Sequence, residues 1–258
     1  MSPLFSVQDV RFSYGDCVAV DGLSVQFSPG LFYGIIGPNG CGKSTFIDLL
    51  IGHLKPSAGA IQYRQKALFD YTKTEIAREM ALVPQNFYIN FPFSAGEVVM
   101  MGRYPHMRRF ARPSEKDVRI VSEVMGLTDT AAFTNRPVTQ LSGGERQRVI
   151  FARALAQKAP TMLLDEATSN LDIHHAFLVM STAARAVQKD RRTVIAVLQD
   201  INMAAAYCDR LMVMNRGRVA AFGTAAEVLT PGMLREEFRI DAKVYVEPSL
   251  DRAQVVCR

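Results

Sequence analysis

The stretch GPNGCGKST, Gly37 to Thr45, constrains this chain more than any other part of it. The residues before it, Leu31 to Ile36, form a short apolar run that reads as a buried strand. The residues after it read as a helix through about Leu50. Strand, glycine-rich turn and helix in that order match G-x-x-x-x-G-K-[ST] in the context the motif requires. The glycines let backbone N–H groups turn inward as an anion nest, and the helix N-terminus adds positive potential. Gly37, Pro38, Asn39, Gly40, Cys41, Gly42 and Thr45 build the cradle. Lys43 is placed to reach the β- and γ-phosphates of a nucleotide, and Ser44 to ligate Mg²⁺. An ordinary glycine-rich turn between strand and helix is the bland alternative.

A second segment, TMLLDEA at Thr161 to Ala167, supplies what a phosphate site needs beside a cradle. Met162 to Leu164 read as a buried strand ending in two adjacent carboxylates. Asp165 would hold Mg²⁺ through water, and Glu166 would act as general base toward an attacking water. Adjacent carboxylates at a strand end repel one another, so a nearby cation accounts for them naturally. A solvated acidic turn is the other reading.

The rest of the pattern is α/β. Near the N-terminus, Phe5, Val7, Val10 and Phe12, then Val18, Val20, Leu23, Val25 and Phe27, alternate as antiparallel strands do. Turn signals at Tyr14-Gly15-Asp16 and at Asp21-Gly22 divide them. Further on, helices are expected over Gly144–Gln157, Ile173–Lys189 and Ile201–Tyr207, with strands at Thr193–Leu198 and Leu211–Met214. Strand–helix alternation predicts a parallel-sheet core covered on both faces. Between about 88 and 140, prolines punctuate helical pieces at Ala95–Met101 and Ser114–Met125, which predicts an inserted helical subdomain. Residues 1–258 read as one nucleotide-binding domain built from these parts.

Composition narrows the classes. No apolar run approaches the roughly 18 residues that span a bilayer. The N-terminus MSPLFSVQDV lacks a basic region and a long apolar stretch, so a cytoplasmic chain is expected. No added regulatory domain of ordinary size is expected after Glu247-Pro248. Cys17, Cys41, Cys208 and Cys257 lie far apart, against a disulfide framework or a zinc site. A net charge of +5 fits an anionic ligand or a membrane surface without choosing between them.

LSGGERQR, Leu141 to Arg148, then carries the argument to a family. With the phosphate loop and LLDEATSNLD, it resembles the ATP-binding-cassette (ABC) ATPases, P-loop NTPases whose motifs stand in this order through most of the chain. The resemblance implies ATP and Mg²⁺ as the bound species. It assigns the γ-phosphate of ATP held by a second subunit to Leu141, Ser142, Gly143, Gly144 and Glu145, again through a helix N-terminus. One such set per chain implies a head-to-tail homodimer enclosing two ATPs. Tyr14 matches the aromatic that stacks on adenine, although a hairpin aromatic is its ordinary reading. Gln85 matches a glutamine that touches Mg²⁺ and the attacking water, and Asp172 a loop that crosses to the partner. For Cys41 a spacer role competes with a lowered pKa and redox sensitivity under the influence of Lys43.

MGRYPHMRRF (101–110), SNLDIHH (169–175) and AFGTAAEVLTPGMLREEF (221–238) resemble the branch that powers import of iron–siderophores, haem and cobalamin. That implies integral-membrane permease subunits as partners, indirectly a substrate-binding protein, and a peripheral place on the cytoplasmic face of the cell membrane. No nucleic-acid partner is expected, because 46–140 holds no sustained heptads such as a DNA-repair ATPase carries. A soluble iron–sulfur assembly ATPase of similar size is the alternative. Arg103, His106, Arg108, Arg109 and Arg112 form a basic patch that would face permease or anionic lipid, or merely solvent. His174-His175 reads against a metal site, since neighbouring helix positions diverge.

One catalytic position departs from the family. The strand end that normally reads V-x-H-D-[LI]-N is here VLQDIN, with Gln199 in place of histidine. A glutamine amide can donate to a phosphate oxygen, but it cannot carry positive charge as imidazole does. Hydrolysis slower than in a histidine-bearing relative is therefore expected.

Overall fold

The computed structural model describes residues 2–87, 90–108, 110–247 and 252–257; Arg109 of the expected basic patch and Pro248 lie outside them. In chain order the elements are β1 (Phe5–Tyr14), β2 (Cys17–Phe27), β3 (Phe32–Ile36), α1 (Lys43–Leu50), β4 (Ala58–Tyr63), β5 (Lys66–Ala67), α2 (Lys73–Glu79), β6 (Met80–Val83), α3 (Ala95–Met101), α4 (Glu115–Leu127), α5 (Gly143–Ala156) and β7 (Thr161–Asp165). Then come α6 (Ile173–Asp190), β8 (Thr193–Val197), α7 (Ile201–Tyr207), β9 (Arg210–Asn215), β10 (Arg218–Gly223), α8 (Ala225–Val228), α9 (Pro231–Phe238), β11 (Ala242–Glu247) and β12 (Arg252–Cys257). Two compact units result: Met1–Thr72 with Thr193–Arg258, and Lys73–Arg192.

In the first unit β1 pairs antiparallel with β2 and β4. The expected turn at Asp21-Gly22 does not divide the second strand. Cys17–Phe27 runs through it, and the positive φ of Gly22 (66°) falls where the register shifts between the pairs Val10–Leu23 and Phe12–Val20, across from Arg11. A bulge lets a strand keep pairing across a turn-type dipeptide. The parallel part of the unit is β3 between β8 and β9, with β10 added antiparallel to β9. β3 is buried throughout, as a strand covered on both faces must be. Phe5, Phe27, Phe46 and Tyr63 are fully buried where these sheets meet, with Phe27 and Tyr33 edge-on at 4.9 Å. The β11–β12 hairpin, which no motif announces, packs on α7 and is tied to it through one side chain. Asn202 donates to the Val255 carbonyl (3.0 Å) and accepts from the Val255 N–H (2.7 Å), standing in for a neighbouring strand.

In the second unit β6 and β7 are parallel. The helices start on polar caps: Ser94, Ser114 and Ser142 each form a reciprocal box with Glu97, Asp117 and Glu145, and Asp172 caps α6. At the far end of α5, Gln157 donates to the carbonyls of Ala77 (2.6 Å) and Met80 (2.7 Å) and so fixes where β6 begins.

The basic patch needs a correction. Arg103 is not a surface cation: its side chain is 7% exposed, its Nε donates to Asp117 (2.9 Å) and its Nη1 to the Ala156 carbonyl (2.7 Å). His106 is exposed but bonded to the Gln157 carbonyl, which leaves Arg108 and Arg112 as exposed cations of the described residues in this segment.

Removing one partner of a buried pair strands the other, so Arg103→Ala is expected to cost about 3 kcal/mol in urea unfolding. A change under ~0.5 kcal/mol would refute that. Ser114 and Arg103 hold the Asp117 carboxyl down at about 2. A depressed folded value gives stability that is complete above the ordinary carboxylate value of about 4 and lost as pH falls through about 2. Asp117→Asn should flatten that acid limb in a pH series of unfolding midpoints.

Candidate functional site

Two pairs of parallel strands deliver the expected residues. In the first unit β3 and β8 pair with Ile35 beside Val197, and Leu198 donates to the Ile35 carbonyl (3.0 Å). Two residues further on, Gly37 and Gln199 leave these strands at the same edge. Ligand sites in such sheets form at the carboxyl ends of strands.

Close backbone approach explains the loop's glycines. Gly37 has φ 153°, and a Cβ there would lie 2.1 Å from the Met214 carbonyl oxygen. Gly42, with φ 102°, precedes α1, and a Cβ there would lie 2.1 Å from the Ala19 carbonyl oxygen. The loop is tied from outside by Gly217, whose N–H donates to the Cys41 carbonyl (3.0 Å). Nothing in the sequence reading singled out Gly217; the available signal was its place in the Arg216-Gly217 turn between β9 and β10. Lys43 is buried, with its ammonium donating to the carbonyls of Gly37 (2.8 Å) and Pro38 (2.9 Å) under the arch of the loop. Asn39 and Gly40 are exposed at the tip, and Ser44 and Thr45 are half-buried in the first turn of α1.

Cys41 corrects one expectation. Its Sγ lies 3.9 Å from Lys43 Nζ, yet burial pushes the thiol up rather than down, because desolvating a thiolate costs more than one nearby ammonium returns. The redox-sensitive reading falls and a spacer role is left. Tyr14 is half exposed at the end of β1, its ring edge-on to Phe12 at 5.0 Å. Gln199 is exposed, while its neighbour Asp200 does the capping, accepting from Asn202 and Met203 N–H groups.

The second unit repeats the device. β6 and β7 pair with Val83 beside Leu164, and two residues on Gln85 Nε2 donates to Glu166 Oε2 at 2.7 Å. Asp165 and Glu166 are each only 8% exposed. Glu166 holds a left-handed backbone (φ 49°), a conformation costing of order 1 kcal/mol for a residue with a Cβ. Ser169 stabilises it, donating from N–H (3.1 Å) and hydroxyl (2.9 Å) to the Glu166 carbonyl.

Ser142, Gly143 and Gly144 stand at the start of α5 above the buried Leu141; Ser142 and Gly143 are exposed, and a Cβ on Gly143 would meet open space. The Glu145 carboxyl accepts from the Ser142 N–H (2.8 Å), which holds it below its ordinary value. Asp172 accepts from the His175 N–H (2.9 Å) and from its ring Nδ1 (2.7 Å), and is likewise lowered.

Gly42→Ala is expected to weaken nucleotide binding at least about tenfold in a fluorescent-nucleotide titration, since the clash is with backbone that cannot swing away. Unchanged affinity would refute the close-approach account.

Residues 20–169 match the family described as ABC transporter. Over 247 residues the chain is 36% identical to the iron(3+)-hydroxamate import ATP-binding protein FhuC of Bacillus subtilis, covering 96% of this chain and 92% of that one. It is 36% identical over 260 residues to the hemin import ATP-binding protein HmuV of Pseudomonas aeruginosa, covering 99% and 100%. The cobalamin import ATP-binding protein BtuD of Halobacterium salinarum is 40% identical over 227 residues, 88% of this chain but 56% of that longer protein. Among solved structures, an inward-facing metal-chelate type ABC transporter superposes with a TM-score of 0.83 at 28% identity, covering 100% of this chain and 98% of that one. A dimeric ATP-binding cassette in a post-hydrolysis state with ADP and Pi superposes at 0.76 and 27% identity, covering 86% and 98%. The expected fold is the one found, and the chain belongs to the ABC transporter family, as one of its ATPases.

Proposed function

We propose that this protein is the ATP-hydrolysing subunit of a membrane importer for an iron–siderophore, haem or cobalamin-type metal chelate. It works as a homodimer around two ATPs, peripheral on the cytoplasmic face of the cell membrane, with integral-membrane permease subunits and, through them, a substrate-binding protein. Among the described residues no helix is long and apolar enough to cross a membrane. The observation that carries the reading is the 2.7 Å bond from Gln85 to Glu166. It links the catalytic carboxylate directly to the entrance of the helical segment, so movement imposed on that segment by a permease reaches the chemistry without an intermediary.

Each residue then has a task. Lys43 exchanges its two carbonyl partners for phosphate oxygens, a charge-assisted and stronger pairing. Tyr14 stacks on the adenine. Glu166 accepts the proton of the attacking water, oriented by the Gln85 amide. Ser142 with the Gly143 and Gly144 amides receives the γ-phosphate of the ATP bound by the other subunit. Gln199 donates to a phosphate oxygen. Ser44, Asp165 and Gln85 would hold Mg²⁺, and they fit it as hard oxygen donors: with its nitrogen engaged by Glu166, Gln85 has its carbonyl oxygen left for a cation. When bound, the ion neutralises charge building on the phosphates.

Glu166→Gln is expected to lower kcat at least about a hundredfold while nucleotide affinity changes less than about threefold. Gln199→His should raise kcat in the presence of permease, and a slower histidine variant would refute its assigned handicap. Purification from membranes with soluble scaffold proteins and no integral-membrane partner would overturn the importer reading in favour of iron–sulfur assembly.

A further inference from the structure

Asp172 caps α6, a task that needs only one carboxylate oxygen and a backbone N–H. Here the second oxygen is taken as well, by His175 Nδ1 at 2.7 Å. The other face of the same ring has a partner too: Nε2 stands 3.5 Å from Asp129 Oδ2. Asp129 lies just past the end of α4 with a left-handed backbone (φ 51°), a conformation that aspartate tolerates better than most residues. Both its carboxylate (2.9 Å) and its carbonyl (2.5 Å) accept from Arg148 Nη1. Arg148 is buried on α5, with its guanidinium 5.4 Å from the Phe133 ring centroid. A continuous chain of contacts thus runs from Asp172 through His175 and Asp129 to Arg148. It joins the loop before α6 to the helix whose first residues are Ser142, Gly143 and Gly144. The charged and titratable groups around the ring are Asp172 and His174 from its own segment, Asp129 from the end of α4 and, behind it, Arg148 from α5.

We propose that His175 is a positioning residue that locks the Asp172 loop to α5 through Asp129 and Arg148, so that Ser142 and Asp172 meet the second subunit as one rigid piece. This rests on the two-ATP homodimer reading. Under that reading, both residues address the partner subunit together. A loop free to move against the helix would let one engage without the other, and the cost would fall on closure for hydrolysis rather than on nucleotide binding. The ring is suited to the task because its two nitrogens diverge, one toward each carboxylate. Asparagine places an amide near Nδ1 and keeps only the Asp172 tie. Glutamine reaches toward Nε2 and keeps only the Asp129 tie.

The test is steady-state ATPase kinetics of the assembled transporter carrying His175→Ala, His175→Asn or His175→Gln, with urea midpoints measured alongside. His175→Ala is expected to lower kcat about tenfold with KM within about twofold and the midpoint near the parent's. The asparagine and glutamine variants should each recover only part of the rate. Combining His175→Ala with Asp129→Asn should slow the enzyme no further than the slower single change, because both cut the same chain. An alanine variant as fast as the parent, full rescue by asparagine alone, or losses that multiply in the double variant would overturn the proposal. So would a loss of rate matched by an equal fall in midpoint in the alanine and asparagine variants alike. A parent lacking Glu166-dependent ATPase overturns the functional reading itself and this inference with it, whereas an active parent indifferent to His175 overturns the inference alone.

Discussion

Parallel strands held in register release their next residues side by side, and the groups we assign to catalysis depend on that. Val83 pairs with Leu164, so Gln85 and Glu166 emerge together and bond at 2.7 Å. Ile35 pairs with Val197, so the phosphate loop and Gln199 emerge together. A one-residue slip in either pair would turn the side chains to the other face and separate the groups. Burial on both faces prevents the slip: β3, β7 and β8 are buried at every position. The apolar sequence of these strands therefore sets the geometry of the proposed site.

Helix N-termini are the second recurrent device, and the protein puts them to two uses. At α3 and α4 the reciprocal serine–carboxylate box only starts a helix, and at α4 the same aspartate also holds a buried arginine. At α5 the same kind of box starts a helix whose first residue, Gly143, remains open to the surface. At α1 no side chain caps: the residue before the helix is Gly42, in a left-handed conformation. The cap by itself therefore does not separate a helix start that serves structure from one that serves chemistry.

Much of this was legible in the sequence. The loop Gly37–Thr45, the carboxylates Asp165 and Glu166 and the serine starting α5 are local patterns whose chemistry travels with their spacing. Ser114 as a cap and the strand Leu31–Ile36 were legible for the same reason, with ends off by a residue or two. Less legible were features set by distant partners. Asp21-Gly22 has the composition of a turn but is carried through a strand by a bulge across from Arg11. Arg103 sits in a run of arginines and looks exposed, yet Asp117 and the Ala156 carbonyl draw it inside. Cys41 looks activated by Lys43 until its burial is counted. The hairpin β11–β12 has no motif; it packs on distant helices and is tied to α7 by the amide of Asn202.

By itself, then, the sequence determined the class of chemistry: an anion nest on a helix, a lysine, paired carboxylates and a second helix start bearing glycines, in one fixed order. These follow from residue type and spacing over fewer than about ten positions, where backbone geometry leaves little choice. Only the tertiary structure decided which charges are available for that chemistry. Lys43 rests on two carbonyls inside the loop, Arg103 is spent on a buried pair, and His175 is held between two carboxylates. The reason is physical: a charged group's role depends on what is left of its solvent and which partner replaces it, and both are set by residues far away in the chain.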